Sequence, residues 1–123
     1  MTKKQIVEET IEYYKTNPRG IELNYQMCQY WTDEGNMCAI GRCLKEPKKF
    51  ENHLDENALE LTDVDLEQFL KPEYLGHDIN FWVQLQMFHD ENFNWNKNDK
   101  GGQDITDYGE AFIRQKLQPL YEK

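Results

Sequence analysis

Within "KKQIVEETIEYYKTNP", Val7, Ile11 and Tyr14 recur at spacings of four and three, with Glu8, Glu12 and Lys15 on the other side. That is the period of a helix with one buried face, and Pro18 and Gly20 end it. The next apolar stretch, "NYQMCQYW", is short, aromatic and bounded by turn residues, which predicts a strand. "TDEGN" then reverses the chain. Asn36 is placed to cap a helix over Met37 to Leu44, which Pro47 stops; a second hairpin strand is the competing assignment.

Phe50, Leu54, Ala58 and Leu61 keep near-helical spacing through residues 46 to 61, but interspersed Asn and Asp favour caps and turns and predict a broken helix. Thr62 caps "TDVDLEQFLKP", with Asp65 three positions on and Leu66, Phe69 and Leu70 on one side, before Pro72 closes it. From Asp78, "DINFWVQLQMFHDE" aligns Phe81, Leu85 and Phe88, with Trp82 and His89 beside them, as the central helix. "NFNWNKNDKGGQD" reads as a brief extended segment entering a solvated loop. Thr106 caps a last helix with Asp107 and Glu110 in its first turn and Ile113, Leu117 and Leu120 along its apolar face. No repeat or linker interrupts this pattern. The expected fold is one mostly helical α+β domain over residues 1 to 123, with a short hairpin or a two-to-three-stranded sheet packed on four or five helices.

Composition narrows what such a domain does. At 123 residues, roughly two-thirds of the unfolded chain's surface can be buried, and an aromatic content of 13% means that Tyr, Phe and Trp supply much of the contact area. The 23 acidic and 14 basic residues leave a formal charge of -9. Such a chain repels phosphate backbones, so direct nucleic-acid binding is not expected, and it attracts partner proteins with basic surfaces. "MTKKQIVEET" lacks the apolar core of a secretory signal, and no run approaches the ~20 apolar residues of a membrane span. The expectation is therefore a cytoplasmic protein without membrane contact. Three cysteines in that setting suggest free thiols or a metal site before disulfides.

The most unusual stretch is "MCAIGRCL". If Asn36 is the cap, Cys38 lies in a first helical turn, where free N–H groups favour a thiolate. His89, followed by Asp90, then offers a base and an orienting carboxylate, and Trp31, Trp82 or Trp95 a pocket wall. The same residues also suit packing, because free cysteine is among the most buried residue types. Gly41 inside a helix implies a close approach by a backbone, a ring or a ligand.

Cys28, Cys38, Cys43 and His53 are suitable zinc donors, but with nine, four and nine residues between them they lack paired C-x-x-C clips, so no metal is expected. "DENFNWNKND" lacks the glycine and closing glutamate of an EF-hand. No phosphate cradle, nucleophile elbow or H-E-x-x-H is present, and no cofactor is implied. The clearest electrostatic feature is the run Glu51, Asp55, Glu56, Glu60, Asp63, Asp65 and Glu67, seven carboxylates without a Lys or Arg between them.

The combination of "CQYWTDEGNMCAIGRCL", "FWVQLQMFHDENFNW" and "ITDYGEAFI" resembles small uncharacterised bacteriophage and bacterial proteins. They carry a Cys-Ala-x-Gly element, a later Leu-Gln-x-x-His-Asp element and a short terminal helix. The similarity spans about residues 24 to 113, with Cys38, Ala39, Gly41, His89 and Asp90 at the matching positions. It implies a phage or bacterial accessory protein, in the host cytoplasm if phage-encoded, and carries no activity with it. Three expectations follow. The first is a non-enzymatic acidic protein that binds and modulates a host or defence protein through Glu51 to Glu67. The second is a thiol-dependent hydrolase or transferase using Cys38, His89 and Asp90. The third is a sponge that encloses a nucleotide-like molecule among Trp31, Cys38, Gly41, Arg42, Trp82, His89 and Trp95.

Overall fold

Thr2 opens the first helix, α1 (Lys3–Tyr14). Its hydroxyl accepts from the Gln5 N–H at 3.1 Å, and the Gln5 side-chain oxygen accepts from the Thr2 N–H at 2.8 Å. Two N–H groups that a helix start leaves without partners are thereby satisfied reciprocally. The computed structural model describes residues 1–19, 21–22, 27–28, 37–45 and 67–122. Along α1 the buried face carries Ile6, Val7, Thr10 and Tyr14, while Ile11 is half-buried. Thr10 fits this apolar stripe because its hydroxyl donates to Ile6 O at 2.7 Å.

The helix expected from Asp78 is α2 (Ile79–Asp90), and its stripe of Phe81, Trp82, Leu85, Phe88 and His89 has no solvent exposure. Full burial of each large apolar side chain contributes about 1.5–3 kcal/mol. The described strands pair over only two or three residues, and ladders that short do not stand alone in water. The buried faces of α1 and α2 supply much of the core, and the second hairpin packs on α1.

Strands β1 (Ile21–Glu22) and β2 (Met27–Cys28) are antiparallel, with Ile21 opposite Cys28. β2 falls inside the predicted strand, and its partner precedes it in the chain. Strands β3 (Trp95–Lys97) and β4 (Gln103–Ile105) form a second antiparallel pair. The described residues thus hold two separate two-stranded ladders. β4 was hidden in the sequence because Gln-Asp-Ile has only one apolar residue and shows no alternation. The loop of this second hairpin rests on the end of α1, where Asn98 Nδ2 donates to Lys15 O at 2.9 Å. Gly102 is required there, since a Cβ would lie 2.5 Å from the Lys15 carbonyl carbon.

The helix expected over Met37 to Leu44 is a correction. The backbone makes only a single 3-10 turn at Gly41–Cys43. β-bridges constrain both sides of it, Met37 to Arg19 and Leu44 to Leu70, leaving too few residues for a helix. Lys45 N–H donates to Phe69 O at 2.8 Å and Lys71 N–H to Cys43 O at 2.9 Å, fixing the exit as extended chain. Cys38 therefore precedes a tight turn and is not in the first turn of an α-helix. The helix expected over 46 to 61 lies outside the described residues, and the one expected from Thr62 is described only from Glu67 on, where the chain turns and reaches the bridge from Leu70 to Leu44. Phe69, placed on the buried side of the latter, is 41% exposed, while Leu70 takes the buried position.

Thr106 caps α3 (Asp107–Phe112) as expected, its hydroxyl accepting from Gly109 N–H at 3.2 Å. The helix then loosens into a π turn over Ile113–Leu117 and ends in a 3-10 turn, Gln118–Leu120, at Pro119, which has no N–H to donate. Leu117 is the residue of this tail that reaches the core. The result is a mixed α+β structure with three α-helices among the described residues, against the four or five expected. None of them is long and apolar enough to cross a membrane.

Candidate functional site

The structure brings Cys38, His89 and Asp90 into one region through intermediaries. Cys38, Ala39, Ile40 and Cys43 are without solvent exposure, and Gly41 is buried with them. The Cys38 sulfur accepts a hydrogen bond from the Gly41 N–H at 3.2 Å. Within the same turn, Ile40 N–H donates to Gln86 Oε1 at 3.2 Å, and Gln86 Nε2 donates to Asp90 Oδ1 at 3.3 Å. His89 Nδ1 lies 2.9 Å from that same carboxylate oxygen. Its ring packs on Tyr14 at 5.1 Å between centroids, and the Tyr14 hydroxyl donates to Met37 O at 2.6 Å.

The imidazole–carboxylate pairing expected of a base and its orienting group is thus present. The sulfur, however, is held by backbone and sealed from solvent, so a substrate reaches it only if this junction opens. Burial pushes the neighbouring Cys43 thiol up to about 12, which keeps it neutral and poorly reactive.

Trp82 and Trp95 belong to the same interior. Trp82 lies edge-on to Phe81 at 5.2 Å, and Trp95 packs on Phe88 at 5.0 Å and donates from Nε1 to Phe88 O at 3.1 Å. Both are buried in the core. Trp31 lies outside the described residues, as does His53. Of the acidic run, Glu51, Asp55, Glu56, Glu60, Asp63 and Asp65 also lie outside them. Glu67, at its end, accepts from the Gly76 N–H at 2.8 Å.

Arg42 occupies a different setting from the ligand pocket expected of it. Its side chain is only 5% exposed. Nη1 donates to Glu9 Oε1 at 2.5 Å and lies 3.3 Å from the Tyr74 hydroxyl, while Nη2 donates to the Thr10 hydroxyl. The Tyr74 hydroxyl donates to the same Glu9 oxygen at 2.5 Å. Two rings flank the guanidinium carbon, Tyr13 at 5.7 Å and Tyr74 at 5.8 Å. A cleft of about 480 Å³ opens beside it, with Glu9, Glu12, Tyr13, Lys71 and Tyr74 in its walls.

Partial burial works against the Glu9 carboxylate, but the hydrogen bonds from Tyr74 and Arg42 outweigh it and hold the group below the ordinary value of 4.5. Burial and the bond to Glu9 push Tyr74 upward, so its hydroxyl remains a donor.

The spacing of residues did not reveal this arrangement, because Arg42 meets Glu9 across 33 positions and Glu9 meets Tyr74 across 65. One local sign existed: Thr10 is a polar residue in the buried phase of α1. No protein-family model, curated protein or solved structure matches this chain.

Proposed function

We propose that this chain is a non-enzymatic, acidic accessory protein of a bacteriophage or bacterium that works in the cytoplasm, binding a host or defence protein by its basic surface and modulating it. The observation that carries this reading is the formal charge of -9 together with seven carboxylates from Glu51 to Glu67 without an intervening cation. Such a field accelerates association with a basic partner and suppresses binding to nucleic acid. The enclosure of Cys38 and His89 supports it, because both are accounted for as parts of the interior.

The test is affinity capture from lysate at about 50 mM and about 500 mM salt, conditions that differ severalfold in screening length. A variant with the carboxylates from Glu51 to Asp65 converted to amides is run beside the native protein. A saturable partner retained at low salt, released at high salt and lost in the variant is the expected result. No saturable partner under either condition overturns the proposal.

The His89–Asp90 contact favours a second reading, thiol-dependent hydrolysis or group transfer by Cys38. Alkylation of the folded protein separates the two. A Cys38 that reacts at neutral pH as fast as a free thiol supports chemistry, and one that reacts only on unfolding assigns it to packing and removes the second reading.

A further inference from the structure

A cleft of about 560 Å³ lies at the junction of the second hairpin and α3, lined by Phe93, Asn96, Ile105, Thr106, Asp107 and Tyr108. That volume is within the range of about 300–1,000 Å³ usual for ligand sites. Its two rings are the most exposed large hydrophobic side chains among the described residues, Phe93 at 57% and Tyr108 at 70%. They meet edge to face at 5.8 Å, an arrangement that leaves ring surface facing outward. Among the described residues of the lining Asp107 is the charged one, and none is Lys or Arg. Asp104, opposite Asn96 in the hairpin register, and Glu110, in α3, are exposed nearby in the chain.

The scaffold beneath is closely packed and hydrogen-bonded. Thr106 N–H donates to Asn94 O at 2.9 Å, and its hydroxyl both donates to Phe93 O at 2.6 Å and accepts from Gly109 N–H. Gly109 packs so closely that a Cβ would lie 2.6 Å from Ile105 Cγ1 and 2.7 Å from Asn94 O. A cleft whose walls are already fixed loses little conformational entropy on binding.

What belongs in it is indicated by the molecule's own interior. Arg42 sits between two aromatic rings with a carboxylate on its guanidinium. Among its described lining residues the cleft has the same aromatic and acidic components, two rings and a carboxylate, without a cation. We infer that the Phe93–Tyr108 cleft is the docking point for an arginine side chain of a basic partner protein, its guanidinium against the exposed ring surface and paired with Asp107. Arginine fits better than lysine because its planar, weakly hydrated head stacks on a ring and still offers N–H groups to the carboxylate. This rests on the reading of the protein as a binder of basic surfaces, and it names where one contact of that partner falls.

The experiment is a backbone amide NMR titration of the full chain at low salt with the capped tripeptide Gly-Arg-Gly, and with Gly-Lys-Gly and Gly-Glu-Gly as controls. The expected result is shifts centred on Phe93, Asn96, Thr106 and Tyr108, strongest with the arginine peptide and absent with the glutamate peptide. Tyr108→Ala and Asp107→Asn should each weaken the response about tenfold, and Tyr108→Phe should preserve it. The native amide spectrum elsewhere verifies that these variants remain folded.

Arginine-peptide shifts confined to residues 46 to 66 would overturn the cleft assignment and leave the wider proposal standing. So would a response at the cleft that survives Tyr108→Ala, or one shared equally by all three peptides. Broadening of the cleft signals with protein concentration alone would assign the cleft to a second copy of the chain and overturn the inference. The absence of any shift overturns it too, while the salt-dependent capture above judges the wider proposal independently.

Discussion

Two places among the described residues combine aromatic rings with a carboxylate, and they differ in whether a cation of the chain is seated there. At the Arg42 seat the guanidinium is enclosed by Glu9, Thr10, Tyr13 and Tyr74, and the arrangement joins α1 to the turn before Leu44 and to the segment after Pro72. At the Phe93–Tyr108 cleft the rings face solvent. Similar parts therefore serve cohesion in one place and remain available in the other. What separates them is desolvation: a buried charge makes its partners indispensable, whereas an exposed ring costs the fold little when it is removed.

The largest expected effect comes from emptying the seat. Arg42→Met leaves the Glu9 carboxylate and the Thr10 hydroxyl without their cation and should destabilise the protein by about 3 kcal/mol, read as a drop in the urea midpoint. A midpoint unchanged within error would mean that the seat is not what joins these segments.

The same pair predicts a pH dependence. Because the folded Glu9 is held below 4.5, it binds fewer protons than the unfolded chain, so its contribution is complete above 4.5 and is lost as pH falls through the lower folded value. Native protein and Glu9→Gln should therefore differ most at neutral pH and converge in acid, which paired unfolding curves at several pH values would check.

Next in size is Gly109→Ala, which drives a methyl group into Ile105 and the Asn94 carbonyl and should cost about 1–3 kcal/mol while distorting the open cleft. Thermal denaturation together with the peptide titration would show both losses in one variant. Tyr74→Phe removes one hydroxyl from the seat and keeps its ring, so about 1 kcal/mol is expected from the same unfolding assay. The smallest change in stability is Tyr108→Ala, within about 0.5 kcal/mol, although it should abolish most arginine-peptide binding. If Tyr108→Ala proved as damaging as Arg42→Met, the distinction between the two regions would collapse.

How much of this was legible in the sequence follows from range. The stripe Phe81, Leu85, Phe88 and the cap at Thr106 are local signals, and α2 and α3 formed where they pointed. The predicted helix at Met37 failed because β-bridges to Arg19 and Leu70, remote in the chain, overrule a local cap signal. β4 was missed because its pairing with β3, rather than any apolar alternation of its own, makes it a strand.

For the site, the His89–Asp90 contact could be anticipated from adjacency. That Cys38 would bond its own turn could not, nor that Arg42 would leave the tryptophans for Glu9 and Tyr74. The first depends on the bridges to Arg19 and Leu70 that fix the turn, and the second on how α1 and the 72–74 turn approach in space. The Phe93–Tyr108 cleft was legible only as an aromatic alternating with Asn, because exposure is a property of the assembled hairpin and helix.

Arg19 has a kinetic consequence. Its guanidinium donates to Gln103 at 2.9 Å, to the His89 carbonyl at 2.5 Å and to Asn92 at 2.6 Å, across 84, 70 and 73 positions of the chain. Closing loops of that length has an entropic cost before any bond is gained, so the clasp is expected to form after α1 and α2, whose hydrogen bonds are local. Its removal should leave the refolding rate nearly unaltered and show itself in faster unfolding, so that Arg19 governs how long the native state persists rather than how quickly it is reached.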